Sequence, residues 1–357
     1  MFNSKSSNNS CVGTIATLLE NKNRTGLSNH CRERVTKAIG GFFELELVKG
    51  NNTFHKNAIA LSTGRACISF MIEQLKPAKI FLPFYTCDAT VEPFKKYGVP
   101  FEYYAINKEL FPLHLPKLKK QEFFLYTNYF GLKGDSVKQL RKLYNEQLII
   151  DNTHAFFLKG YKHNWSFNSV RKYFGVPDGA YLYAPVELKR LTTYPRFNGI
   201  SIAHSLNRHL GNIETGYQQY VAYEQSLNSD IYTISFYSET VLSQINYDEV
   251  IKKRRDNFFY LHKELQSCNR LQFAIDAESV PFCYPFLPEK SINKSILHKN
   301  NFFIPSYWTD TLNRNINGFE KEKMLSKELL ALPTDHRYSI QDMKAMLTFI
   351  KKLIDGK

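Results

Sequence analysis

Leu148-Ile-Ile-Asp151-Asn-Thr-His154 is the stretch from which the rest of the chain can be read. An apolar run ending in a carboxylate describes a buried strand with its acid at the C-terminal tip, the edge where open α/β sheets bind ligands. A carboxylate there needs a partner, because burying an unpaired charge is costly. Two readings of Asp151 stay open on this stretch alone: an acid facing a ligand, or the cap of a following helix. His154 could stand against the same ligand, although a lone histidine is more often simply packed and hydrogen-bonded.

Working outward, similar apolar runs begin near Asn57 (NAIALS), Lys79 (KIFLPF), Phe101 (FEYYAI), Glu122 (EFFLYTNYF) and Ala180 (AYLYA). Amphipathic helical stretches over 66–75, 89–96 and 136–144 lie between them. Strands alternating with helices at this spacing predict βα units and a mostly parallel sheet covered on both faces. After about residue 200 the pattern changes. Residues 205–265 read as helices, 271–286 and 301–304 as short extended segments. Ser339-Ile-Gln-Asp342 reads as a capping-box variant opening a last helix. The division predicted is an N-terminal arm (1–35), a large α/β domain (36–240) and a smaller C-terminal α+β domain (241–357).

Composition narrows the function classes. The chain has 357 residues, 43% hydrophobic and 22% charged, ordinary for a globular protein. No apolar run reaches the length of a membrane span, and the Ser/Asn-rich start lacks a signal-peptide core, so a cytoplasmic location is expected. Cysteines 11, 31, 67, 87, 268 and 283 show no metal-ligand spacing, and reduced thiols are expected. The net charge of +14 gathers partly in Lys117-Leu-Lys-Lys120 and Lys252-Lys-Arg-Arg255. The second cluster reads as the solvated face of an amphipathic helix, and no nucleic-acid recognition motif accompanies the charge. A positive field also suits a phosphorylated cofactor or an anionic nucleotide.

Two further segments carry chemistry. Ser62-Thr-Gly-Arg-Ala66 joins a strand to a helix, where free backbone N–H groups favour a phosphate; a plain strand-to-helix turn is the alternative. Arg171-Lys172-Tyr-Phe-Gly-Val-Pro-Asp-Gly179 places a lysine in a turn between extended segments. A surface lysine is the ordinary reading. The apolar neighbours argue instead for partial burial, which makes an amine nucleophilic. Arg171 competes as the basic residue, but a guanidinium stays charged. A strand-end acid with a lysine in such a turn matches what pyridoxal 5'-phosphate (PLP) requires, a Schiff-base amine and a partner for the ring nitrogen.

These segments, in order, resemble the DegT-type nucleotide-sugar aminotransferases, which are fold-type I PLP transferases. Leu61-Ser-Thr-Gly-Arg-Ala-Cys67 resembles the family's phosphate loop, and Phe81-Leu-Pro-Phe-Tyr-Thr-Cys-Asp-Ala-Thr90 its second-strand motif. Asn128-Tyr-Phe-Gly131, Asp151-Asn-Thr-His-Ala155, and Ser169-Val-Arg-Lys172 with Pro177-Asp-Gly-Ala180 follow in the family's sequence. Lys253-Arg-Arg-Asp-Asn257 and Leu330-Ala-Leu-Pro333 also fit. The chain departs from the pattern at Cys87, Phe167 and the shortened turn 177–180. Asp230-Ile-Tyr-Thr-Ile-Ser235 stands where the family has a Gly-Tyr-Asn segment that reaches a neighbouring subunit's phosphate.

The resemblance implies that Lys172 binds PLP covalently and Asp151 pairs with its ring nitrogen. It implies His154 and Tyr85 beside the ring, and Thr63, Gly64, Arg65 and Ser169 around the phosphate. The implied activity is transfer of an amino group from an amino-acid donor such as glutamate to a nucleotide-linked keto-sugar for surface polysaccharide synthesis, by a homodimer. Two alternatives are a PLP-dependent sugar dehydratase, against which Lys172 argues, and a catalytically degenerate regulatory or assembly protein of the same fold.

Overall fold

The computed structural model describes residues 45–185, 194–276 and 279–355, with Gly41 and Phe43. Leu47–Lys357 packs as one compact unit and carries every element named below. The expected N-terminal arm, with Cys11 and Cys31, lies outside the described residues.

Seven strands form the main sheet: β1 (Ile59–Leu61), β2 (Lys79–Pro83), β3 (Phe101–Tyr104), β4 (Glu122–Thr127), β5 (Leu148–Asp151), β6 (Trp165–Phe167) and β7 (Ala180–Tyr183). Their order is β1-β7-β6-β5-β4-β2-β3. Only β7 runs against its neighbours β6 and β1; the other pairings are parallel. This is the mixed, mostly parallel sheet of a fold-type I architecture. Alternate residues enter opposite cores: Phe124, Tyr126, Leu148 and Ile150 on one face, Phe123, Leu125 and Ile149 on the other. Burial on both faces explains why these strands read as continuous apolar runs.

Helices α1 (Gly64–Leu75), α2 (Asp88–Lys96) and α3 (Gly134–Tyr144) follow β1, β2 and β4, each beginning one or two residues before its expected start. Strand β6 was not read from the sequence; Trp165-Ser-Phe167 is too short to show a period. In the C-terminal part, α4 (Ala203–His209), α5 (Ile213–Ser226), α6 (Phe236–Leu242) and α7 (Tyr247–Leu265) occupy the helical stretch. Of the two extended segments expected beyond them, only Cys283–Phe286 (β8) is a strand, paired antiparallel with β9 (Leu330–Pro333). Residues 302–308 have no regular structure. Ser339 and Asp342 form the expected capping box on Ile340–Ile354.

One charge reading is corrected. Lys252 and Lys253 of α7 are exposed and pair with Asp256 and Glu249 one turn away. Arg254, the next residue, is 1% exposed, because its position on the 3.6-residue period faces inward with Val250, Phe258 and Leu261. The cluster is a solvated face interrupted by one buried cation. Among the described residues no helix is long and apolar enough to cross a membrane. None of the described cysteines is bridged; Cys67 and Cys283 are buried. No cluster of metal-ligating side chains occurs among the described residues.

Candidate active site

Because β1, β2, β4, β5 and β6 point the same way, the segments that follow them leave from a single edge of the sheet. That edge brings together residues 62–65, 84–88, 128–131, 152–154 and 168–172.

Asp151 closes β5 and is 3% exposed. Its Oδ1 accepts the Thr153 N–H at 2.8 Å. Burial pushes its pKa up, while the Thr153 hydrogen bonds and the charge of Lys172 pull it back. Turns, not a helix, follow Asp151, so it is no helix cap. The loop carrying the phosphate-binding expectation adjoins it: a Cβ on Gly64 would lie 3.8 Å from Thr153 Cγ2 and 3.7 Å from the Phe167 ring.

His154 is fully buried, and neither ring nitrogen has a hydrogen-bond partner. Burial, and secondarily Lys172, hold its pKa well below the usual histidine value, so the ring is neutral. It stacks on Phe282 at 4.3 Å between centroids, with Trp308 at 5.0 Å and Tyr307 at 5.1 Å. A neutral imidazole has one donor and one acceptor, and burying both unpaired costs about 1–3 kcal/mol each.

Lys172 ends a short 3-10 turn, Val170–Lys172. The expectation of partial burial is corrected: Lys172 is exposed, because its neighbours Tyr173 and Phe174 take the core positions. Its Nζ lies 5.3 Å from the Tyr307 ring centroid and 5.9 Å from that of Phe282, the ring stacked on His154. Arg171 turns elsewhere, forming an ion pair with Glu224 and lying 5.6 Å over the Tyr223 ring.

Thr63 caps α1, its Oγ1 accepting the Ala66 N–H at 3.0 Å. The Thr63 hydroxyl proton stays available, as do the Gly64 and Arg65 amides of the first helical turn. The Arg65 guanidinium is engaged by Glu92 at 3.0 Å and the Leu227 carbonyl at 3.0 Å. Ser169 is half-buried directly before the Lys172 turn. Tyr85 is 1% exposed, packed on Trp308 at 4.4 Å and Tyr129 at 5.6 Å. Trp308 thus touches both Tyr85 and His154. Segment 230–235 runs beside the loop after β1 within the same chain: Ser62 N–H donates to Tyr232 O at 2.9 Å. Asp178 accepts Ser235 N–H at 2.7 Å and Ser235 Oγ–H at 2.5 Å, anchoring the start of α6.

The sequence reading missed the aromatic side of this site, namely Phe130, Phe282, Tyr307 and Trp308. Phe130 and Trp308 take left-handed backbone (φ 58° and 56°), uncommon for bulky side chains. Beside them Gly131 has φ 72°, and a Cβ there would fall 2.6 Å from the His154 carbonyl. Asn128-Tyr-Phe-Gly131 contained that glycine; nothing marked 282 or 307–308 in a chain with 15% aromatic residues. A surface groove of about 630 Å³ lies elsewhere, lined by Asn107, Glu109, Lys133, Asp135 and Gln272 among others, and contains none of the site residues.

The fold has solved counterparts. DesV of S. venezuelae, in complex with a ketimine intermediate, superposes with a TM-score of 0.60 at 12% identity, over 84% of this chain and 85% of that one. A DegT DnrJ EryC1 StrS aminotransferase from Brucella abortus gives 0.56 at 12% identity, over 82% and 85%. E. coli GDP-4-keto-6-deoxy-D-mannose-3-dehydratase with bound hydrated PLP gives 0.58 at 15% identity, over 82% and 87%. No family model and no curated protein matches the chain.

Proposed function

We propose that this chain is a PLP-dependent aminotransferase acting on a nucleotide-linked keto-sugar, with an amino acid such as glutamate as donor. The observation that carries the reading is the meeting of three groups on one sheet edge: the buried Asp151 carboxylate, the unpartnered His154 ring and the Lys172 amine. The shared fold supports the same class of chemistry. Residues 36–240 would form the cofactor-binding domain and 241–357 the smaller domain. A homodimer, a cytoplasmic location and a role in surface polysaccharide synthesis belong to the same proposal.

The groups present fit PLP. A buried acid with raised pKa lacks a cationic partner in hydrogen-bond contact, and a pyridinium N–H would supply one. His154 has a nitrogen to offer the ring's phenolic oxygen. The Thr63 hydroxyl, the Gly64 and Arg65 amides and Ser169 are suited to hold the phosphate at the start of α1. When bound, PLP supplies an electron sink for a carbanion at the substrate carbon. The chain's own part is to place charges and protons. Asp151 would keep the ring nitrogen protonated. Lys172 would anchor the cofactor through Nζ and, once freed by the donor's amino group, would take the proton from the donor Cα and deliver one to the acceptor carbon. The aromatic side buries His154 and keeps water from that face of the site.

A second reading has its own observation: the Arg65 guanidinium is engaged and Tyr85 is packed into the core, as in a PLP-fold protein without catalysis. A dehydratase is disfavoured by Lys172. An absorption spectrum of the purified protein with PLP, followed by borohydride reduction and peptide mapping, separates these. An adduct mapped to Lys172 is expected; no band and no adduct would leave the non-catalytic reading.

A further inference from the structure

Arg254 is a buried cation that the proposed mechanism does not use. On the inner side of α7 it is 1% exposed, and burial lowers its pKa. Its charge is offset at longer range by Asp335, which Arg337 holds through two hydrogen bonds of 2.7 and 3.0 Å. Burying a guanidinium this way is costly, and a hydrophobic side chain of similar volume often replaces such a group without loss of stability. The two contacts Arg254 makes are therefore informative. Its Nη1 donates to the Phe282 carbonyl at 3.2 Å. Its guanidinium carbon lies 4.4 Å from the Tyr173 ring centroid.

Both contacts converge on Lys172. Tyr173 is its chain neighbour at the end of the 3-10 turn, and Phe282 is one of the two rings beneath its ammonium. Phe282 also stacks on His154. We infer that Arg254 is a positioning residue, a buried clamp that fixes the Lys172 turn and the Phe282 ring in one arrangement. Arg254 meets the Tyr173 ring rather than its hydroxyl, so the clamp needs a planar cation and an aromatic ring.

The inference rests on Lys172 being the reactive amine of the site. The test compares the rate at which the purified full-length protein forms a borohydride-trapped PLP adduct at Lys172, measured by peptide mapping, with the adduct rate at exposed Lys252. Thermal unfolding is recorded for each variant, and all rates are taken well below the lowest midpoint. Arg254→Met and Tyr173→Leu are expected to slow Lys172 labelling about tenfold or more while leaving Lys252 unchanged, since small misplacements of a reacting group carry large rate penalties. Tyr173→Phe is expected to label like the wild type, and Arg254→Met combined with Tyr173→Leu to label no more slowly than either alone. Unchanged Lys172 labelling in Arg254→Met, with or without a lowered midpoint, would overturn the clamp. Failure of the wild type to favour Lys172 over Lys252 would instead overturn the proposed cofactor site.

Discussion

The candidate site has two sides built by different means. The sheet edge presents Thr63, Gly64, Asp151 and Ser169 from the ends of strands or from helix and turn caps, where backbone geometry fixes each group. The opposite side consists of Phe282, Tyr307 and Trp308, all three outside the regular elements of their C-terminal stretch, Cys283–Phe286 and Lys294–Lys299. Its order comes from rings packed on rings around His154. Polar chemistry is therefore held by secondary structure, while shape and dryness are supplied by side-chain packing. The two sides should respond differently to substitution.

Lys172→Ala bears hardest on the contrast, because it removes the group on which both sides converge. No trapped adduct should remain at that position and no amino transfer should be measurable; full turnover would sink the assignment. Trp308→Ala should act on stability, costing about 3–5 kcal/mol in urea unfolding through the void left beside Tyr85 and His154. A loss below about 1 kcal/mol would mean the aromatic side repacks freely. Asp151→Asn should do the reverse, keeping the unfolding transition while lowering amino transfer on the order of 10²-fold. Equal turnover would reduce Asp151 to a turn cap.

The smallest effect concerns pH. His55 is 2% exposed, hydrogen-bonded to Tyr183 at 2.6 Å and to Asn168 at 3.3 Å, and burial holds its pKa down to about 3. The unfolded chain protonates this histidine near 6.5, so between those values the unfolded state binds more protons and stability rises with pH. His55 should contribute a slope of about 1.4 kcal/mol per pH unit within that window. The slope should flatten in His55→Gln; an identical slope would assign it to other groups, His154 first.

Legibility followed the same division. The runs at 79, 122 and 147 gave strands because burial on both sheet faces leaves them largely apolar, and Asp151 stood out as the charge ending such a run. Thr63 and Gly64 were readable because a helix start constrains residue type locally. Phe282, Tyr307 and Trp308 were not, since ring packing across more than a hundred residues leaves no period in the sequence. The burial of Lys172 was misjudged for a related reason: in a 3-10 turn the apolar character of Tyr173 and Phe174 says where those side chains go, not where their neighbour goes. Arg254 was hidden among the exposed Lys252 and Lys253 and the half-buried Arg255, where charge pattern outweighed helical phase.

The pairing of β1 with β7 has a consequence for how the site is made. Ala60 lies opposite Tyr181, roughly 120 residues further along the chain. During synthesis β1 emerges first but has no neighbour in the sheet until β7 is complete, whereas β2 through β5 can join one another in turn. The loop at residues 62–65 therefore takes its place last among the sheet-edge elements, even though it is the first of them translated. Such a long-range closure slows folding and leaves an early, unpaired strand exposed meanwhile. Assembly of the phosphate-facing corner is thus a late event in the life of the nascent chain.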